Sequence, residues 1–186
     1  GTGIMNSWAK KWIGDSNDYA KMNEAASAIA MGSEGLQVLP FGNGAERIFN
    51  NQIIGAHLLN LNLNHHSAAH IYRAVQEGIA FAFRFGLDIM RENGIAPNII
   101  RAGNANLFKS KVFTEAFVNT LNVPVELYDV DGSVGAAKAG GMGAGMYASS
   151  KEAFQHFTPN QTIEPTVSKQ YDELYQHWLA SLKKFI

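Results

Sequence analysis

The chain has 186 residues, 46% of them hydrophobic and 17% charged, with a formal net charge of −1 and no cysteine. That is enough for one domain with a proper core, and it excludes a disordered chain and a disulfide framework. The lack of a basic block withholds electrostatic support from nucleic-acid binding.

In chain order, Thr2 to Ile13 is predicted as a short helix with Trp8 and Trp12 four apart on one face. A second helix starts at Asp18, a residue suited to capping, and runs to Ala30 through Tyr19, Met22, Ala26 and Ile29. Leu36 to Leu39 reads as a strand stopped by Pro40. A Gly42-Asn43-Gly44 loop follows, and then a loosely alternating strand or hairpin over Ile53 to Leu63. The uncharged run from Ile48 to Tyr72 is too rich in Asn and His for a membrane span, and no secretory signal is visible.

The dominant element is a helix over Ser67 to Glu92. Ile71, Val75, Ile79, Ala82, Gly86 and Ile89 form one apolar stripe, and Phe81, Phe83 and Phe85 add bulk to other faces. A helix apolar on more than one side is buried between layers. Asn93-Gly94 supplies its left-handed stop. A strand at Asn98 to Arg101, a helix from Phe108 to Leu121, a strand at Val125 to Tyr128 and a helix from Ser133 to Tyr147 follow. Pro159 and Pro165 mark a linker before the last helix, Val167 to Phe185, with Tyr171, Leu174, Trp178, Leu182 and Phe185 on one face. Strands alternating with helices imply an α/β layer fold.

Two stretches point to chemistry. In Ile99 to Ser110 a hydrophobic pair runs into Ala102-Gly103-Asn104-Ala105 and then an amphipathic segment. A strand, a turn of small residues and a helix made this way aim bare backbone N–H groups and a helix N-terminus at one spot, which suits phosphate. The same residues equally describe an ordinary strand-to-helix turn, since Gly and Asn tolerate positive φ. In Asp131 to Gly145 the helix carries no side chain larger than methyl at Gly135, Ala136, Ala137, Ala139, Gly140 and Gly141. So bare a helix can press its backbone on a neighbour or on a flat ligand.

At these residues the chain resembles the carboxy-terminal half of the FGGY carbohydrate kinases, of the actin/hexokinase/Hsp70-like superfamily. Gly35-Leu36 leading to Leu39-Pro40 and Glu46-Arg47 is similar to the family's Gly-Leu, Leu-Pro, Gly-Glu-Arg segment. His70 to Phe83 resembles its Arg-Ala-x-x-Glu-Gly helix, Ile99 to Ala105 the adenosine motif, and Gly135 to Gly140 the second connecting motif. Among members it is most similar to bacterial xylulokinases. The family usually shows Gly-Gly-Gly-Ala where this chain has Ala102, Gly103, Asn104 and Ala105, and the segment to the next helix is about three residues longer than the common pattern.

The resemblance implies an actin-like (ribonuclease H-like) ATPase domain, a mixed sheet flanked by helices, occupying residues 1–186. It implies ATP-dependent phosphorylation of a ketose, D-xylulose, with ATP and Mg²⁺ as cofactors, in the cytoplasm; kinases of this family are often homodimers, and the oligomeric state stays open. Nucleotide contacts fall on Ala102, Gly103, Asn104, Ala105, Asn106 and Ser110, with Ser110 also suited to capping the next helix. The small-residue helix backs that site. The family's base aspartate and most sugar contacts lie in the amino-terminal half, so no catalytic residue is assigned, and this chain alone is expected to be inactive. Opening on Gly1 in mid-pattern, it is expected to be a piece of something longer. A catalytically idle nucleotide-binding domain, or a structural interaction domain of the same fold, stays open as an alternative.

Other residues have plainer readings. His66 and His70, four apart with His65 beside them, have a metal-like spacing, but no carboxylate completes an H-E-x-x-H pattern, so they read as solvated histidines and no metal is assigned. Arg73 and Glu77 read as an intrahelical pair worth a few tenths of a kcal/mol. Glu46-Arg47 sits in a Gly-rich loop where a charge pair orders backbone or faces a ligand. Asp129 and Asp131 end a strand beside the small-residue helix, where capping explains them as well as catalysis does.

Overall fold

The computed structural model describes residues 2–14, 18–43, 47–130 and 132–186. Helix α1 (Thr2–Trp12) buries Met5 and Ala9, which leaves Trp8 and Trp12 on the solvent side. Helix α2 (Tyr19–Ser27) starts where expected, with the Asp18 carboxylate accepting the Ala20 N–H at 2.8 Å. Strand β1 (Gln37–Phe41) pairs antiparallel with β2 (Gly55–Leu59). Pro40 does not stop β1 but lies inside it, opposite Ala56. With β2 on one side only, β1 tolerates a residue that has no N–H to give.

Helix α3 (Ala68–Glu92) is the axis of the domain and contacts α1, α2, β1 and two further helices. Every residue from Tyr72 to Phe81 is buried, as expected of a helix apolar on several faces. Its N-terminus carries a capping box in which Ser67 Oγ accepts the His70 N–H and the His70 ring accepts the Ser67 N–H. Its C-terminus closes on Asn93 and Gly94, with Gly94 at φ +79 and the Ile95 N–H reaching the Met90 carbonyl at 3.0 Å. Gly78 lies directly against the Val38 carbonyl, so closely that a Cβ would collide with that oxygen. The same carbonyl accepts the Trp178 indole N–H at 2.8 Å. One peptide unit of β1 thus fixes two helices.

The second sheet holds β3 (Ile100–Gly103), β4 (Val125–Tyr128) and β5 (Gln161–Ile163) in that order, β3 parallel to β4 and β5 antiparallel to it. Strand β3 sits two residues later than predicted, its ladder with β4 running from Ile100 opposite Val125 to Gly103 opposite Tyr128. Helix α4 (Lys111–Leu121) packs on α3 and on α7 (Ser168–Leu182), where Tyr171, Tyr175, Trp178 and Leu182 are fully buried. Helix α5 (Gly132–Gly143) behaves differently. Gly141, against which the Tyr147 ring packs closely, is its one buried position among the described residues, so the other small side chains are not used to press the helix onto a neighbour within this chain. The short helix α6 (Ser150–Phe154) follows it.

Arg73 and Glu77 are not a surface pair. The ion pair is buried, and the Glu77 carboxylate also accepts the Gly32 N–H at 3.0 Å and the Ser33 hydroxyl at 3.3 Å. Four successive residues there, Gly32 to Gly35, have positive φ. Two of them, Ser33 and Glu34, carry side chains that disfavour it. A buried carboxylate holding two donors of the loop is what maintains that conformation.

Candidate functional site

Strands β3 and β4 run parallel and in register, so both end at one edge of the sheet. Crevices outside the carboxyl ends of such strands are where open α/β sheets bind ligands. Here Ala102, Gly103, Tyr128, the first turn of α5 at Val134 and Gly135, and α6 enclose a cavity of about 670 Å³. That is within the range of about 300–1,000 Å³ typical of small-molecule sites. Val130, Val134, Phe154 and Phe157 make one wall apolar, while Arg101, Ser150, Lys151 and Gln155 supply polar groups.

At the rim, Glu126 joins the two strands. Its carboxylate accepts the Tyr128 hydroxyl at 2.5 Å and Arg101 Nε at 2.8 Å. The Tyr128 hydroxyl, followed by Arg101, holds the Glu126 carboxyl below its ordinary range, and Glu126 in turn pushes the Tyr128 phenol up. The rim thus presents a charge-neutral pair with Arg101 largely exposed.

Of the residues expected at a nucleotide, Ala102 and Gly103 line the cavity, and Asn104, Ala105 and Asn106 follow directly as the turn. The turn does not offer the bare N–H groups expected of it at two positions. Asn104 N–H donates to the Tyr128 carbonyl at 2.7 Å, extending the sheet, and Ala105 N–H folds back to the Gly103 carbonyl at 2.8 Å. Asn106 is left-handed at φ +52, which Asn tolerates. The helix N-terminus does not sit at the turn either. A 3₁₀ turn over Asn106–Lys109 intervenes, and α4 begins at Lys111.

Ser110 is buried behind this turn. Its hydroxyl caps α4 by accepting the Phe113 N–H at 3.4 Å and donates to Gln76 Oε1 at 2.6 Å; Gln76 Nε2 then donates to Asn23 at 3.0 Å. A chain of three side chains ties α4, α3 and α2 together. Asp129 is exposed just past β4, while Asp131 and Glu46 lie outside the described residues. Arg47 is exposed at the start of a 3₁₀ turn.

Several lining residues were not read from the sequence. Phe154, Phe157 and Lys151 come from a segment with no periodic signal, and only the fold carries them across to β3. Lys138 of α5 helps hold that segment in place, its ammonium lying over the rings of Tyr147 and Phe157. The histidines also differ from expectation. His70 is buried, and the carboxylate missing from the local sequence arrives from Glu34, which contacts His65 and lies 3.6 Å from His70.

Residues 4–144 match the FGGY family of carbohydrate kinases, C-terminal domain. The chain is 28% identical over 178 residues to a xylulose kinase of Haemophilus influenzae, a match covering 90% of this chain and 35% of that protein. Its fold superimposes on ligand-bound xylulose kinase from Lactobacillus acidophilus with a TM-score of 0.82 at 21% identity, over 98% of this chain and 38% of that one. Plasmodium falciparum glycerol kinase with ADP superimposes with a TM-score of 0.76 at 18% identity, over 100% of this chain and 37% of that one. The expected actin-like fold is borne out. This chain spans about a third of the length of the curated relatives it matches. Among the described residues no helix is long and apolar enough to cross a membrane. With its fold, its cavity at the strand ends and a family match over most of its length, the chain belongs to the FGGY family of carbohydrate kinases, as a C-terminal domain.

Proposed function

We propose that this chain is the nucleotide-side domain of an ATP-dependent sugar kinase acting on a ketose, D-xylulose, and that it is inactive without an amino-terminal half. The observation that carries this reading is the cavity at the ends of β3 and β4, with Ala102 and Gly103 in its wall, in a chain of the FGGY C-terminal family. Similarity to xylulose kinases supports the sugar, and likeness to a glycerol kinase with ADP supports the nucleotide.

In this reading the small side chains of Ala102 and Gly103 let the nucleotide approach the strand ends closely. Asn104, Ala105 and Asn106 form the phosphate side, where the Asn side chains donate in place of the backbone groups already engaged. Ser110 acts one layer back, holding α4 and the turn in place. Mg²⁺ enters with the nucleotide, as MgATP. The sugar hydroxyl attacks the γ-phosphorus, the bond to the β-phosphate oxygen breaks, and the hydroxyl proton passes to a base on the other half. Closure of the cleft excludes water, the competing acceptor.

A coupled ADP-release assay with D-xylulose and MgATP tests this, on the chain alone and on the chain joined to its amino-terminal half. Activity in the joined form only is the expected result. Activity of the chain alone would place a base here, with Asp129 the first described candidate. Joined protein that binds no MgADP, or that loses no ATP affinity on deletion of Asn104 to Asn106, would overturn the assignment.

A further inference from the structure

Independently of the kinase reading, the left-handed loop and the start of α3 build a second cluster. The side chains of Glu34, His65 and His70 bring one ligand atom each within 4.8 Å of the others. His70 is 7% exposed, and its Nε2 is buried with no hydrogen-bond partner while facing Glu34 Oε2 at 3.6 Å. We propose that Glu34, His65 and His70 form a binding site for a divalent first-row cation, with Zn²⁺ the best match. Two imidazoles and one carboxylate are a zinc donor set, with a fourth position left to water.

The distances suit the ion. Tetrahedral bonds of about 2.1 Å place ligand atoms roughly 3.4 Å apart. The His70–Glu34 separation already meets this, and the closer His65–Glu34 contact would open to admit the ion. The other ring nitrogen of His70 lies 3.0 Å from both the N–H and the hydroxyl of Ser67. Binding therefore requires the tautomer in which Nδ1–H donates to Ser67 Oγ and the Nε2 lone pair faces the ion, and the Ser67 N–H bond to the ring, half of the α3 capping box, is exchanged for it. Such an acceptor behind a ligating imidazole is the usual arrangement. His66 is not part of the set, because its Nδ1 accepts the Asn62 N–H and its Nε2 faces the Glu34 carbonyl.

The effect of the ion is structural. It ties the four-residue stretch of positive φ at Gly32 to Gly35 to the cap of α3, two segments about thirty residues apart in sequence. Since Glu34 and His65 are both substantially exposed, the ion has direct access from solvent.

Calorimetric titration with ZnCl₂ at neutral pH tests the site on this chain. One equivalent is expected, weakened about tenfold or more in Glu34→Gln and in His65→Ala, and unchanged in His156→Ala, which alters an exposed histidine elsewhere. Zn²⁺ at about 100 times its Kd should also raise Tm by about 5 °C, an increase that EDTA removes and Glu34→Gln lacks. Circular dichroism confirms that each variant is folded. Absence of binding overturns the proposal, as does equal binding by Glu34→Gln and His65→Ala, or loss of binding in His156→Ala.

Discussion

Arg73 Nε and Glu77 Oε1 lie 2.7 Å apart one helical turn from each other, and both side chains are almost wholly buried. Burial works against the Arg73 charge, but Glu77 and Tyr171 outweigh it and hold the guanidinium above its ordinary pKa. Burial pushes the Glu77 carboxyl up, opposed by Arg73 and by the Gly32 and Ser33 donors. Removing one partner strands the other. Glu77→Ala is therefore expected to destabilise by about 3–5 kcal/mol, as for a broken buried pair. Urea denaturation measures this. A loss of a few tenths of a kcal/mol would return the pair to the surface class.

Tyr171 and Tyr175 predict alkaline sensitivity. Burial first, then Glu77 and Glu115, pushes the Tyr171 phenol up. Burial and Asp88 do the same at Tyr175. A folded-state pKa above the unfolded value means that the native state holds its protons longer. Their contribution is fully present below about pH 10, the ordinary tyrosine value, and is lost as pH rises beyond it. Phenolate absorbance and loss of far-ultraviolet dichroism should therefore rise together above that pH. Ordinary titration of both phenols in a still-folded chain would contradict this.

Ser110 separates a structural role from a ligand role. Ser110→Ala removes the α4 cap, worth about 0.5–2 kcal/mol. It also leaves the buried Gln76 Oε1 without its donor, costing about 1–3 kcal/mol. Thermal unfolding should show a marked loss, while MgADP affinity at a temperature where the variant is folded should change little. A selective loss of nucleotide affinity would put Ser110 in the site.

Gly78→Ala should destabilise although alanine is the better helix former. The new methyl meets the Val38 carbonyl, and that backbone is also held by Trp178 and cannot move freely. Overpacking of this kind costs about 1–3 kcal/mol, more than the roughly 1 kcal/mol gained in helix propensity. An unchanged or raised Tm would show that β1 yields.

Long periodic elements were legible in the sequence because their signal is repeated. Helix α3 extends from its Ser67 cap to Glu92 as its apolar stripe implied, and β4 lies at Val125–Tyr128 as predicted. What escaped were relations between distant segments. Glu34 meets His65 and His70 only because four consecutive residues take positive φ, which Ser33 and Glu34 do not advertise. The burial of Arg73 and Glu77 depends on α2 and α7 closing over α3, which spacing four apart cannot reveal. The cavity wall at Phe154 and Phe157 likewise comes from a segment whose place is set by Lys138, Tyr147 and the sheet edge.

Helix α5 has a thermodynamic consequence of its own. Five of its twelve residues are glycines, each about 1 kcal/mol less helical than alanine, and burial compensates at one position only. It should therefore be the first helix to open locally, with backbone amides exchanging with solvent well before those of α3. Its first turn, at Val134 and Gly135, is part of the cavity wall. Any ligand that settles there must hold together a helix that barely holds itself, so occupancy should be read out as slowed amide exchange along α5, and as a binding entropy more unfavourable than contacts alone would give.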